Sequence, residues 1–237
     1  MKWFGASTPG EADLPTPTPA AGDRPAVFID QDGTLVDELP HNVDPARLCF
    51  TPNAFEGLRR LRDAGFALVV VTSQPGIAQQ RFTRQAFAHL EAALVARLAD
   101  EGIRLEGFHL CPHAAEPRPG RACLCRKPAP GLLRQAAIAH RLHLPGSWMV
   151  GDMLDDVEAG HRAGCRSVLL DVGHETGWRQ SPLRVPDHRC GDLLAAAEFI
   201  LAAAPRAESS AVSWSRGSVP PSRRPVSSFA AAWSSSP

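Results

Sequence analysis

The 237-residue chain has no surplus charge of either sign, because 25 Lys and Arg are matched by 25 Asp and Glu. It therefore has no net field to recruit nucleic acid or an anionic membrane, and a small-molecule substrate is the better expectation. The chain also lacks an apolar run long enough to cross a bilayer, and the stretch Met1 to Asp23 includes Lys2 but no apolar segment of the secretory kind. A soluble, cytoplasmic protein is expected. With 44% hydrophobic residues, one domain with a well-filled core is the natural reading, and two full domains would be cramped.

The ends lack the pattern of the middle. Pro9 to Pro25 holds five prolines among small residues, and Ser209 to Pro237 is rich in Ser, Pro and Arg, with Trp214, Phe229 and Trp233 scattered without amphipathic period. Residues 1–24 and 205–237 are therefore expected to be disordered extensions around one domain at 25–204. Within it, strand-sized apolar runs recur at Ala26 to Ile29, Ala67 to Val71, Phe108 to Leu110, Trp148 to Val150 and Ser167 to Leu170. Helical patterns lie between them. Thr51-Pro52 reads as a helix start with Phe55, Leu58 and Leu61 on one face, and Thr83 to Leu98 and Gly131 to Leu142 also read as helices. Alternation of this kind predicts an α/β fold with a mostly parallel sheet covered on both faces by right-handed crossovers. Ligands then bind beyond the carboxyl ends of the strands.

Three run ends carry chemistry: Asp30-Gln31-Asp32-Gly33-Thr34, Thr72-Ser73-Gln74 and Gly151-Asp152. Carboxylates at i and i+2 straddling a turn can work as a pair, one attacking and one moving protons, although acids also gather at strand ends as caps. Attack by Asp30 on phosphorus would give an acyl phosphate, and the charge that accumulates demands a divalent cation and fixed positive partners. Asp30 and Asp152 offer hard oxygen ligands suited to Mg2+, joined by the backbone carbonyl of Asp32. Thr72 can hydrogen-bond a phosphoryl oxygen, and Lys127 can supply a point charge. Asp156 is placed in support. The bland alternative for Asp152, Asp155 and Asp156 is helix capping, and a single lysine is most often a solvated surface residue. Gly76-Ile77 reads as a flexible turn.

A second cluster has Cys111-Pro112-His113, nine intervening residues, then Cys123-Leu124-Cys125. Three thiolates and one imidazole make a complete Zn2+ set, and four protein ligands would close the coordination sphere as in structural sites. Buried thiols or disulfides are the alternatives. Cys49, Cys165 and Cys190 read as isolated core residues, and His41, His89, His109 and His174 have no evident partner.

Phe28 to Thr34, Gly65 to Thr72, Cys111-Pro112-His113, Cys123 to Pro128 and Met149 to Asp152 together make the core resemble the haloacid dehalogenase (HAD) superfamily of phosphohydrolases, most closely its heptose 1,7-bisphosphate 7-phosphatase branch. The resemblance spans about Ala26 to Leu201. It implies a Rossmann-like fold without a large cap domain, with a zinc loop forming part of the substrate wall. It implies Asp30 as nucleophile and Asp32 as general acid/base. It further implies Mg2+ at Asp30, Asp32 and Asp152, phosphoryl or substrate contacts from Thr72, Ser73, Gln74, Arg126 and Lys127, and Zn2+ at Cys111, His113, Cys123 and Cys125. The expected partner is a small phosphorylated sugar met by a monomer, with neither nucleic acid nor membrane. The chain departs from the branch at Gln31, commonly Arg; Ser73, commonly Asn; and Met153, commonly Lys. Lost cations weaken the case for a bisphosphate, and histidinol phosphate or a non-catalytic binding role on the same fold are the alternatives.

Overall fold

The computed structural model describes residues 24–114, 123–177, 179 and 181–203, all within the compact unit Met1–Ala204. Expectations placed on residues 1–23 and on the tail from 205 onwards lie outside the described residues. Among those described, six strands form one parallel sheet in the order β3-β2-β1-β4-β5-β6. They are β1 (Ala26–Ile29), β2 (Ala67–Ser73), β3 (Gly107–Cys111), β4 (Trp148–Gly151), β5 (Arg166–Leu170) and β6 (His188–Cys190). The helices are α1 (Ala54–Asp63), α2 (Pro75–Ala78), α3 (Arg84–Asp100), α4 (Gly131–His140), α5 (Leu154–Ala163) and α6 (Leu193–Ala203).

Central strands of a parallel sheet are buried on both faces, so their sequences are apolar throughout rather than alternating. Side-chain alternation then sorts each run into two layers. Val27 and Ile29, with Leu68, Val70, Trp148, Val150, Val168 and Leu170, face Leu58 and Leu61 of α1, Leu90 and Leu94 of α3 and Ile200 of α6. Ala26, Phe28, Val69, Val71 and Met149 face Leu132, Leu133 and Ala136 of α4. The registers Ile29 to Val70 and Ile29 to Val150 bring the exits of β1, β2 and β4 level at one edge. The sheet order reverses between β1 and β4, and such a switch point opens a crevice.

Several local expectations need correction. Thr51 does not cap α1: its hydroxyl donates to the Thr34 carbonyl at 2.7 Å, tying the loop after β1 to the helix, and the cap position is Asn53 at φ 62°. The Gly76-Ile77 turn is the short helix α2, started by Pro75, whose ring presets the helical φ. Cys49 is exposed and Cys190 only half-buried, so Cys165 alone of those three is a core residue. β6 and α6 had no sequence signal assigned to them. β6 is only three residues long, His188-Arg189-Cys190, too short and polar to register as a strand.

Candidate active site

The chain turns sharply where β1 ends. Gly33 sits at φ +77°, and a Cβ there would lie 2.3 Å from Asp152 Oδ2 and 2.6 Å from His174 Nδ1, so only glycine lets these groups close in. Asp30 is buried; its Oδ1 accepts the Gln31 amide at 2.7 Å and meets Lys127 Nζ at 2.6 Å. Asp32 is turned to another side, where Gln74 Nε2 donates to Oδ2 at 2.6 Å and Gln31 Nε2 donates to Oδ1 at 3.3 Å. Burial and the charge of Asp30 raise the Asp32 carboxyl to about 7, against the opposing pull of Gln74 and Lys127. Two carboxyls on one turn thus have separate environments and separate proton affinities.

Lys127 is no solvated surface residue, with only 7% of its area exposed. A buried ammonium costs several kcal/mol unless it is paired. Here it lies 2.6 Å from Asp30 and 2.5 Å from Asp156 and donates to the Val71 carbonyl at 3.3 Å. Burial opposes its charge, but Asp156 and Asp30 outweigh it and hold the ammonium firmly protonated. The same Asp156 also accepts the Met153 amide at 3.1 Å, so capping and support of the site are served by one side chain. Gly151 is what admits it, since a Cβ there would lie 2.3 Å from the Asp156 carboxyl. Asp155 is outside this set, paired with Arg184 at 2.6 Å.

Asp152 is held from two sides, by the Thr34 hydroxyl at 3.0 Å on Oδ1 and by His174 Nδ1 at 2.7 Å on Oδ2. His174 therefore has a partner that lies 22 residues away, and no local pattern signals it. Carboxylate oxygens of Asp30, Asp152 and Asp156 lie within 4.8 Å of one another. Asp156 has both oxygens engaged, Oδ1 by Lys127 and Oδ2 by the Met153 amide, whereas Asp30 meets Lys127 through Oδ1 alone; Asp30 and Asp152 are therefore the better placed acids for a hard cation, and crowded buried carboxylates of this kind fit Mg2+. The Asp32 side chain is not in this group.

These residues open onto a crevice of about 350 Å³, walled on one side by Thr72, Ser73 and Gln74 and on the other by the Glu38 to Asn42 loop. Thr72 Oγ1 accepts Gln74 Nε2 at 3.1 Å, which leaves its hydrogen for another acceptor. The Ser73 hydroxyl is buried without a protein partner. Arg126 lines the crevice and leans on the His113 carbonyl at 3.4 Å. Of the three departures, Ser73 and Met153 line the crevice, whereas Gln31 is 1% exposed and faces Asp32. Position 31 is thus a neighbour of the acid and not part of the wall.

Cys111, His113, Cys123 and Cys125 converge beside Arg126. The six separations among their three Sγ and one Nδ1 run from 3.1 to 3.6 Å, a compact tetrahedron of donor atoms. A disulfide would need about 2.05 Å, and a zinc tetrahedron with bonds of about 2.0–2.3 Å has edges of roughly 3.3–3.8 Å. Burial and the adjacent sulfurs push the Cys125 thiol up, and a cation among these sulfurs would favour its thiolate. The donor set and its spacing are compatible with zinc.

A buried carboxylate beside an ammonium, with a second acid two residues on that releases its proton near neutrality, is equipment for phosphoryl transfer, and the sheet that carries it has the topology of a HAD phosphatase. Comparisons with known proteins agree. A HAD-hydrolase-like family model matches residues 124–196. The D-glycero-beta-D-manno-heptose-1,7-bisphosphate 7-phosphatase of Yersinia pestis is 38% identical over 151 residues, covering 62% of this chain and 79% of that protein. That of Escherichia coli K12 is also 38% identical, with 62% and 78% covered. The solved D,D-heptose 1,7-bisphosphate phosphatase from B. bronchiseptica, complexed with magnesium and phosphate, matches with TM-score 0.62 and 28% identity over 76% of this chain and 98% of that one. The chain belongs to the HAD superfamily of phosphohydrolases, in the family that contains these heptose bisphosphate phosphatases.

Proposed function

We propose that the protein is a magnesium-dependent phosphomonoesterase that removes the 7-phosphate of D-glycero-D-manno-heptose 1,7-bisphosphate, in the route to nucleotide-activated heptose. The observation that carries this reading is the separation of roles at the β1 turn: Asp30 lies against Lys127, and Asp32 against Gln74. The Gln31 amide and Lys127 both meet Asp30 at Oδ1, so Oδ2 is the oxygen assigned to attack phosphorus. The bond from phosphorus to the ester oxygen breaks, and that oxygen takes the proton of Asp32. Asp32, now ionised, takes a proton from water, whose oxygen attacks the acyl phosphate and restores the Asp30 carboxylate as inorganic phosphate leaves. A group near neutrality suits giving and then taking one proton. Mg2+, when bound at Asp30, Asp152 and the Asp32 carbonyl, neutralises the phosphoryl oxygens. Thr72, with Ser73 and Gln74, and Lys127 orient the phosphoryl group, and Arg126 and His41 are assigned to the far end of the substrate.

Zn2+ at Cys111, His113, Cys123 and Cys125 is read as structural, pinning the loop that carries Arg126 and Lys127. The catalytic unit is assigned to residues 25–204. No helix among the described residues is long and apolar enough to cross a membrane. Six free cysteines, three of them crowded around one imidazole, support a reducing cytoplasmic setting. The large apolar side chains that are exposed include Val95 on α3, Leu124 beside the cluster and Ile138 on α4, and this scatter supports a monomer.

The test is phosphate release with Mg2+ from both anomers of heptose 1,7-bisphosphate beside histidinol phosphate and fructose 1,6-bisphosphate, compared as kcat/KM. A heptose preference is expected; a preference for histidinol phosphate would move the substrate and leave the chemistry. Asp30→Asn is expected to lower kcat by at least ~10³-fold with the fold intact, and retained turnover would exclude Asp30 as the nucleophile.

A further inference from the structure

Away from the crevice, on the β3 edge of the sheet, two imidazoles meet that neither the mechanism nor the Cys/His cluster uses. His109 projects from β3 and His140 from the last turn of α4, with Nε2 3.2 Å from Nε2 and the rings nearly perpendicular at 86°. An 86° arrangement is not a stack. A shared hydrogen bond can hold such a pair, but only by spending one imidazole's proton on the other's lone pair.

Three features of the surroundings favour both lone pairs pointing at a common third party. Glu106 Oε1 lies 3.9 Å from His140 Nδ1, beyond a direct hydrogen bond but near enough for its charge to favour the proton on that nitrogen over Nε2. The other carboxylate oxygen of Glu106 is paired with Arg24, so the acid is anchored beside the ring. Gly107 supplies the space: a Cβ at that position would lie 2.5 Å from His140 Nε2 and 3.0 Å from His109 Nε2, so any other residue would fill the gap that the two nitrogens share. The site is half-buried, with His140 24% exposed, so it is reachable from solvent.

We propose that His109 and His140 form a second metal site, for a borderline divalent ion of the zinc class, with Glu106 orienting His140 and water completing the coordination. Two nitrogens bound to zinc at about 2.0–2.1 Å in tetrahedral array lie roughly 3.3–3.4 Å apart, and the observed separation is 3.2 Å. Imidazole nitrogen selects such ions over Mg2+, so the site does not compete for the catalytic cation. Its place gives it a job: it clamps the C-terminal end of α4 to β3, two residues before Cys111. Metal there would stiffen the strand from which the Cys/His loop departs.

The experiment uses tag-free full-length protein loaded with one equivalent of Zn2+, which the three-thiolate cluster takes first. A second equivalent is then titrated against a chromophoric chelator. Wild type is expected to take it up, with a rise in Tm, and His109→Gln and His140→Gln are each expected to weaken that second equivalent by ~10-fold or more while retaining the first. Retention of the first equivalent reports that the variants are folded. With Co2+ in place of Zn2+, the second equivalent is expected to add visible bands without thiolate charge-transfer absorption. A wild-type protein that binds one equivalent only, or a second equivalent that survives both substitutions, overturns the site and leaves a plain histidine hydrogen bond.

Discussion

Burial and the charge of Asp30 together lift Asp32 to about 7, whereas an unfolded aspartate releases its proton near 4. Between those values the folded protein binds more protons than the unfolded chain. The stability contributed by this group is therefore full below about 4 and is lost as pH rises through about 7. In metal-free protein, Asp32→Asn is expected to make the decline of Tm over that window shallower; an unchanged slope would place the titrating proton elsewhere. The same residue explains why position 31 matters less than its sequence position suggests. Gln31 is buried with its Nε2 donating to Asp32 Oδ1, and of the two positions where the branch commonly carries a cation only Met153 lines the crevice.

Among elements, the segment Cys123 to Lys127 places Arg126 at the crevice and Lys127 against Asp30 and Asp156. In sequence, the stretch from Pro112 to Pro128 is rich in Pro and Arg with no apolar period. The zinc proposed at the four converging ligands would tie the two ends of that stretch together. Cys123→Ser is expected to release zinc and lower Tm by about 10 °C, on a scale of 2–4 °C per kcal/mol for a domain of this size. Metal content and calorimetry check it, and a zinc-free wild type of unchanged Tm would remove the structural role. The helix after β4 shows the other side of local design: Asp156 accepts the Met153 amide at the start of α5 and meets Lys127 with the same carboxylate, so capping does not exclude a supporting place beside the crevice.

For the molecule as a whole, zero formal net charge means that nothing distant steers a phosphate ester inward. Locally the field is adverse, because Asp30, Asp32, Glu38, Asp152, Asp155 and Asp156 line the crevice against Arg126 and Lys127, and Lys127 is already paired. A dianion should enter only once a divalent cation has offset those acids. Inorganic phosphate is therefore expected to bind at least ~100-fold more weakly without Mg2+ than with it, measured by calorimetry. Equal affinity in both conditions would mean that protein cations alone hold the phosphoryl group.

Much of this was legible in sequence. Apolar runs that end in polar residues, Asp30 after β1, Thr72-Ser73-Gln74 at the end of β2 and Asp152 after β4, identify these strands with their cargo, because a buried parallel strand has to be apolar throughout and its exit is where polar residues resume. The Cys/His spacing identifies the second cluster because few other residue sets present three thiolates and an imidazole. Tertiary structure alone decided which neighbour each acid keeps: Asp32 with Gln74, Asp152 with His174, Asp156 with Lys127, and likewise His109 with His140. Strand composition and turn chemistry act over a few residues and are written locally. Proton affinity and ligand geometry depend on burial and on charges brought within about 3 Å by elements far apart in the chain, and only the packed sheet and its helices set those distances.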